Sequence, residues 1–268
     1  MTFSLLPVLK DGTYLDLTLL LLLIVATWYY NKVAMAGKLP NLRKIPAIDA
    51  ITEGVGKSVE ENKPVHYAMG ASGGQLYTQL VSMTLVALAF LNYIAKLCAR
   101  YEAKLIVHMP YQAESIPMIE AMVRDGYKAE GKSEFFKTDM LRYYGYGALT
   151  WTQSVTHSYD EEGVGLNLSI GIFYSDCPIS LEMAKIKGGM NVGGTGRWIM
   201  VYAFAMMCDY VFLGQEIYVA GAIISGNPTL LSGVFVEETG KYFSYLLLAI
   251  GLILALLGVG VAQAFFAL

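Results

Sequence analysis

The run YFSYLLLAIGLILALLGVGVAQAFFAL, residues 242–268, holds no charged side chain. It is longer than the ~20 apolar residues that cross a bilayer as a helix, and a helix apolar on every side needs cover on every side. A second run, LTLLLLLIVATWYY at residues 17–30, ends in Trp28, Tyr29 and Tyr30, the aromatic belt of a membrane interface. Two membrane anchors, one towards each end of the chain, are therefore expected. Composition agrees. Charged residues make up 15% of the 268, against about a quarter in soluble domains.

Orientation follows from the basic residues. Lys32, Lys38, Arg43 and Lys44 follow the first run, Lys241 abuts the second, and only Lys10 precedes the first. The positive-inside rule then places residues 31–241 in the cytoplasm of a cell-membrane protein, with both termini outside. Ala34, Met35 and Ala36 imitate a signal-peptidase site, but Asp11 and Asp16 sit where a signal needs positive charge, so an uncleaved anchor is expected. Residues 77–95 are also free of charge. Gln79, Ser82, Thr84 and Asn92 interrupt them, and a third span would put Lys241 on the wrong side, so a buried helix is expected.

Between the anchors, short apolar runs alternate with helical patterns. VHYAM (65–69), KLIVHM (104–109), VGLNLSIGIFY (164–174), residues 189–192 and YVFL (210–213) read as strands. They are continuously apolar, as in a parallel sheet buried on both faces. The fold expected is α/β: a Rossmann-like, doubly wound, mostly parallel sheet in the cytoplasm, flanked by two transmembrane helices. The expected organisation is an anchor at 1–31, a basic juxtamembrane linker at 32–63, the α/β domain at 64–230 and a C-terminal transmembrane segment at 231–268. Residues 127–162, with Tyr143, Tyr144, Tyr146 and Trp151, read as an insertion or flap in that domain.

The phrases MGASGGQLYTQL, VHMPYQAESIPMIEAMV and GGMNVGGTGRW, within this layout, resemble an uncharacterised membrane-anchored α/β family of archaea and Chloroflexi-type bacteria. The resemblance implies an architecture and a cytosolic domain, and brings no activity with it.

Three glycine clusters invite comparison with phosphate cradles. Gly54-Val55-Gly56-Lys57-Ser58 ends like a P-loop, but the earlier glycine that motif requires is replaced by Ile51 and no strand leads in. A linker helix is expected there. Gly70, Ser72, Gly73 and Gly74 follow the first strand and precede an expected helix over 75–100, the position where backbone N–H groups receive an anion. Gly193, Gly194, Thr195 and Arg197 form a second turn of this kind, also before a helix, and Arg197 has the fork for an anion unless it pairs with Glu216 or Asp209. Ser175 and Asp176 follow the third strand. If these loops share the carboxyl edge of the sheet, all ten residues face one ligand. The competing reading is that the glycines only permit tight turns and close packing.

Chemistry is otherwise sparse. Cys98, Cys177 and Cys208 show no CxxC spacing, and His66, His108 and His157 are dispersed, so neither a disulfide framework nor a metal site is expected. The Gly70–Ser72 stretch lacks the GxSxG elbow of a serine nucleophile. Net charge is −3 with the signs mixed, which excludes a nucleic-acid partner. The apolar helices at 75–97 and 198–208 need cover on a second side, so membrane lipids and further copies of the chain are the expected partners. The leading expectation is a non-enzymatic, homo-oligomeric scaffold or assembly protein anchored in the membrane. The alternatives are a sensor of a nucleotide or small anion, with a nucleotide as the ligand to test, and a four-span transporter with spans at 77–95 and 198–224.

Overall fold

The computed structural model describes residues 14–37 and 44–256. Lys10, Asp11, Lys38, Arg43 and the last part of the C-terminal run, residues 257–268, lie outside the described residues. The chain divides into two units, one built from Met1–Asn41 with Gly226–Leu268 and the other from Leu42–Ser225.

The first unit is a pair of helices, α1 (Tyr14–Met35) and α9 (Pro228–Leu256). They pack antiparallel. The Tyr30 ring stacks on Phe235 at 5.8 Å, the Thr239 hydroxyl donates to the Tyr30 hydroxyl at 3.2 Å, and Leu23 lies against Gly240. Small residues make the seam: Ala26 and Ala34 are buried, and a Cβ on Gly240 would touch Leu23 at 3.5 Å. Leu20, Leu21, Ile24, Val25 and Trp28 of α1 face outward, as do Leu246, Leu248, Leu252 and Ile253 of α9. Among the described residues, two helices are long and apolar enough to cross a membrane, Leu17–Met35 and Val81–Tyr101.

The second of these belongs to the α/β unit. Its six strands are β1 (Val65–Ala68), β2 (Leu105–His108), β3 (Leu141–Arg142), β4 (Leu166–Ile170), β5 (Met190–Thr195) and β6 (Tyr210–Leu213). All pair in parallel, in the order β3-β2-β1-β4-β5-β6. This is the 3-2-1-4-5-6 order of doubly wound sheets. Right-handed crossovers put α3 (Val81–Tyr101) and α4 (Ile116–Ala129) on one face, because the chain steps outward from β1 to β3. The chain then jumps from β3 to β4 and steps the other way, so α5 (Ala148–Glu162), α6 (Asp176–Ile186) and α7 (Val201–Met207) cover the opposite face. Helices α2 (Pro46–Glu60) and α8 (Glu216–Ser225) complete the first face.

Several expectations change here. Residues 75–80 are not helical; α3 begins at Val81, so Gly73 and Gly74 are separated from its first turn. As the β1–β2 crossover, α3 is a core helix. Residues 46–60 are no linker: α2 lays Ala47, Ala50, Ile51, Gly54, Val55 and Ser58 onto the sheet. The P-loop-like glycines are thus helical, and a side chain at Gly54 would collide with Met190 and Leu166. Residues 127–162 supply β3 and α5, with Trp151 buried and its indole N–H donated to the Met109 carbonyl at 2.8 Å. Residues 198–224 hold a 3-10 turn, α7, β6 and α8, so they form no continuous span.

The two faces of the sheet differ in chemistry. Under α2, α3, α4 and α8 the strands bury Val65, Tyr67, Leu105, Val107, Leu166, Leu168 and Val192. The alternate residues His66, His108, Asn167, Ser169 and Asn191 are buried on the other face. They satisfy one another. The imidazoles of His66 and His108 are joined from Nδ1 to Nε2 at 2.9 Å, Tyr159 donates to Asn167 at 2.9 Å, and Asn167 donates to Asn191 at 2.9 Å. A buried polar seam of this kind is tolerable only when its members are paired.

Candidate functional site at the carboxyl edge

Strands β1 and β4 are neighbours from which the chain departs in opposite directions. The loops after them frame the crevice where doubly wound sheets bind ligands. The β1 loop begins at Gly70, whose φ of +87° suits only glycine. A side chain there would collide with the Ile172 carbonyl, and one at Gly73 with the carbonyl of Met69. The β4 loop is in backbone contact on both sides: Ile172 N–H donates to Met69 O of the β1 loop at 3.0 Å, and Gly171 N–H donates to Gly194 O of β5 at 3.0 Å. Gly74 sits tight against Ser115 and Pro110.

Asp176, 3% exposed at the start of α6, ties these loops together. One carboxylate oxygen accepts the Ala71 N–H at 3.1 Å and the other accepts the Tyr174 N–H at 2.7 Å. The protein's own carboxylate thus occupies the place of an anion over the β1 loop. Ser72 shares a 2.9 Å hydrogen bond with the Tyr111 hydroxyl, and Ser175 is exposed without capping α6.

The second glycine turn is differently placed. Gly193, Gly194 and Thr195 are the last residues of β5, not a loop before a helix. Gly193 leaves room for Phe204, and Gly194 for Phe212 and Ile217. Arg197 lies over Tyr174, with its guanidinium carbon 4.0 Å from the ring centroid, and donates from Nη1 to the Tyr174 hydroxyl at 2.8 Å. Neither expected acid holds it; Asp209 instead accepts the Asn191 N–H at 2.8 Å. The Arg197 Nε is buried without a hydrogen-bond partner.

All ten expected residues therefore lie at or next to the carboxyl ends of β1, β4 and β5. What the sequence did not disclose is how many of their donors are used internally. Nor did it disclose the aromatic rim. Tyr77, Tyr146 and Trp198 are 80%, 85% and 84% exposed, and Tyr202 is also exposed. Tyr111 meets Tyr146 edge-on at 4.9 Å. The density of Tyr in the loops was the available signal. No nucleophile–base pair forms among these groups; Cys177 is buried, and that burial pushes its thiol pKa up. Among the described residues, no three His, Cys, Asp or Glu side chains converge as metal ligands.

A family profile described as a domain of unknown function (DUF6754) matches residues 9–266, and the chain belongs to that family. No curated protein and no solved structure matches the chain.

Proposed function

We propose that this DUF6754 protein is a membrane-anchored, homo-oligomeric scaffold whose α/β unit associates through the carboxyl edge of its sheet. The observation that carries the reading is the exposed aromatic rim of Tyr77, Tyr146, Trp198 and Tyr202. Apolar side chains that cluster in one exposed patch mark interaction surfaces, and each such ring buried contributes about 1.5–3 kcal/mol. The internal capping of Ala71 by Asp176 supports it too, because that carboxylate repels a phosphate from the β1 loop. In this reading α1 and α9 lie in the cell membrane among lipids, the α/β unit is cytoplasmic, and both termini are outside. Lys32, in the last turn of α1, supports that orientation; Lys241, which follows the Gly240 that packs on Leu23, lies beside the middle of α1 and is paired with Glu238. Native mass spectrometry of the chain released from its membrane tests it. A multimer should fall to monomers when Tyr146 and Trp198 are both changed to Ser; a wild-type monomer, or an unaffected multimer, refutes the reading.

A second reading has its own support. The unpartnered Arg197 Nε, in a guanidinium held over the Tyr174 ring, suits a nucleotide or other small anion that approaches along the β5 side. A nucleotide-sized mass retained by the wild type and lost in Arg197→Ala favours that reading.

A further inference from the structure

Where α3 and α4 return to the start of β2 and β3, away from the carboxyl edge, the α/β unit has an open-mouthed cavity of about 390 Å³. Its volume lies within the range of small-molecule sites. The floor is apolar: Cys98, Leu105 and Ile106 are buried there. Tyr127 also lines it. That side chain is 2% exposed, and its hydroxyl has no hydrogen-bond partner. A buried, unpaired hydroxyl lowers the stability of the empty protein, and phenylalanine would fill the same space without that cost.

The rim is charged and unequally balanced. Lys104 and Arg142 both pair with the single carboxylate of Glu162, Lys104 at 2.6 Å. That leaves one positive charge uncompensated. Glu102 is already engaged by Lys132 at 2.5 Å, and the remaining rim charges, Lys137 and Asp139, offset each other. An apolar floor, a lone donor hydroxyl and one surplus cation are complementary to one ligand class.

We infer that this cavity binds a small amphiphilic monocarboxylate. Its apolar body rests on Cys98, Leu105 and Ile106, its carboxylate faces Lys104 and Arg142, and the Tyr127 hydroxyl donates to it. The site is independent of the association proposed for the carboxyl edge.

The full-length chain in lipid nanodiscs, titrated calorimetrically with 4-phenylbutyrate against empty discs, tests the inference. Saturable one-to-one binding is expected, with the neutral 4-phenylbutyramide weaker by about tenfold or more, because the uncompensated cation prefers an anion. Tyr127→Phe should weaken the acid by about fivefold to tenfold and yet raise the melting temperature of the ligand-free chain. Ala103 also lines the cavity, and Ala103→Leu, which fills it, should abolish binding with the helical circular dichroism intact. Absence of saturable binding by the wild type overturns the inference. So does equal affinity for acid and amide, or a Tyr127→Phe variant that binds as the wild type does.

Discussion

The two buried imidazoles make stability depend on pH in a way that can be worked through. The Gly163 carbonyl can only accept, so His66 donates from Nε2 over 2.9 Å. Its Nδ1 must then accept from His108 Nε2, and His108 Nδ1 in turn accepts from the Tyr144 hydroxyl at 2.8 Å. Both rings are neutral in this chain, and a further proton disrupts it. Burial, opposed by the Gly163 hydrogen bond, lowers the His66 pKa to about 4. Burial and then the neighbouring imidazole hold His108 well below its ordinary value. Unfolded histidine titrates near 6.5, so below that pH the unfolded state binds more protons than the native state, and stability falls. For His66 alone the loss is about 2 kcal/mol at pH 5 and about 3 kcal/mol by pH 4, where the native ring begins to protonate too. With His108 the pair loses about 4 kcal/mol at pH 5 if both rings stay neutral in the native state.

The assay is urea unfolding followed by the reactivity of Cys98 and Cys177 towards dithiodipyridine, which reacts at acid pH. Both thiols are buried, and the three cysteines of the chain all lie in the α/β unit, so the flanking helices are silent. The comparison is with the double variant His66→Gln, His108→Gln, in which carboxylate titrations cancel. The wild type should lose stability between pH 6.5 and 4.5 more steeply than the variant, by about 2–4 kcal/mol. Identical pH profiles would falsify the buried neutral pair.

Two further substitutions probe the carboxyl edge. Gly70→Ala forces a positive φ and drives a Cβ into the Ile172 carbonyl, so it should cost about 3 kcal/mol or more in the same urea assay; Gly131→Ala, at φ +70° with nothing within 4 Å of the new Cβ, should cost only about 1 kcal/mol. Asp176→Asn keeps the shape but replaces one acceptor oxygen by an NH2 group. Either Ala71 or Tyr174 then loses its acceptor, which should cost about 1–3 kcal/mol in urea and speed amide exchange at the residue left unpaired.

The parts of this fold that were legible in the sequence are those with an apolar signature. Five strands could be read because each is a short, mostly apolar run, although the expectation of continuously apolar strands fails in four of them, where His66, His108, Asn167 with Ser169, and Asn191 are buried as a paired polar seam. The sixth, β3, has two residues, too few for any period. Helix α2 passed for a linker because half of its buried face, Ala47, Ala50 and Gly54, is small and fits closely to the sheet while giving little apolar signal. Leu76 and Leu80 extended the apparent period of α3 backwards over a loop that the chain needs to turn beside β4. Gly193 and Gly194 looked like loop residues because glycine is rare in strands; here Phe204 and Phe212 take up the space that side chains would fill. For the candidate site, the sequence placed its residues at one edge of the sheet, where they lie, but did not disclose the donors already used by Asp176. The histidine pair was illegible, since His66 and His108 meet only through the register of β1 with β2, in which His66 lies beside Ile106 and Ala68 beside His108.

The antiparallel pairing of α1 with α9 also bears on how the chain is made. The helix that seats Ala26 and Ala34 leaves the ribosome first, and its mate emerges only after the entire sheet has been synthesised. At about 5–20 residues per second, the interval is on the order of ten seconds or more. During that time α1 has an unfilled seam, and the chain that must eventually return to it is collapsing into a compact body. Once that body has formed, its dimensions, not those of a random coil, set the distance over which α9 must come back, so the logarithmic cost of closing a long flexible loop is met in advance by the folding of the intervening unit. The hairpin is then the last element to close.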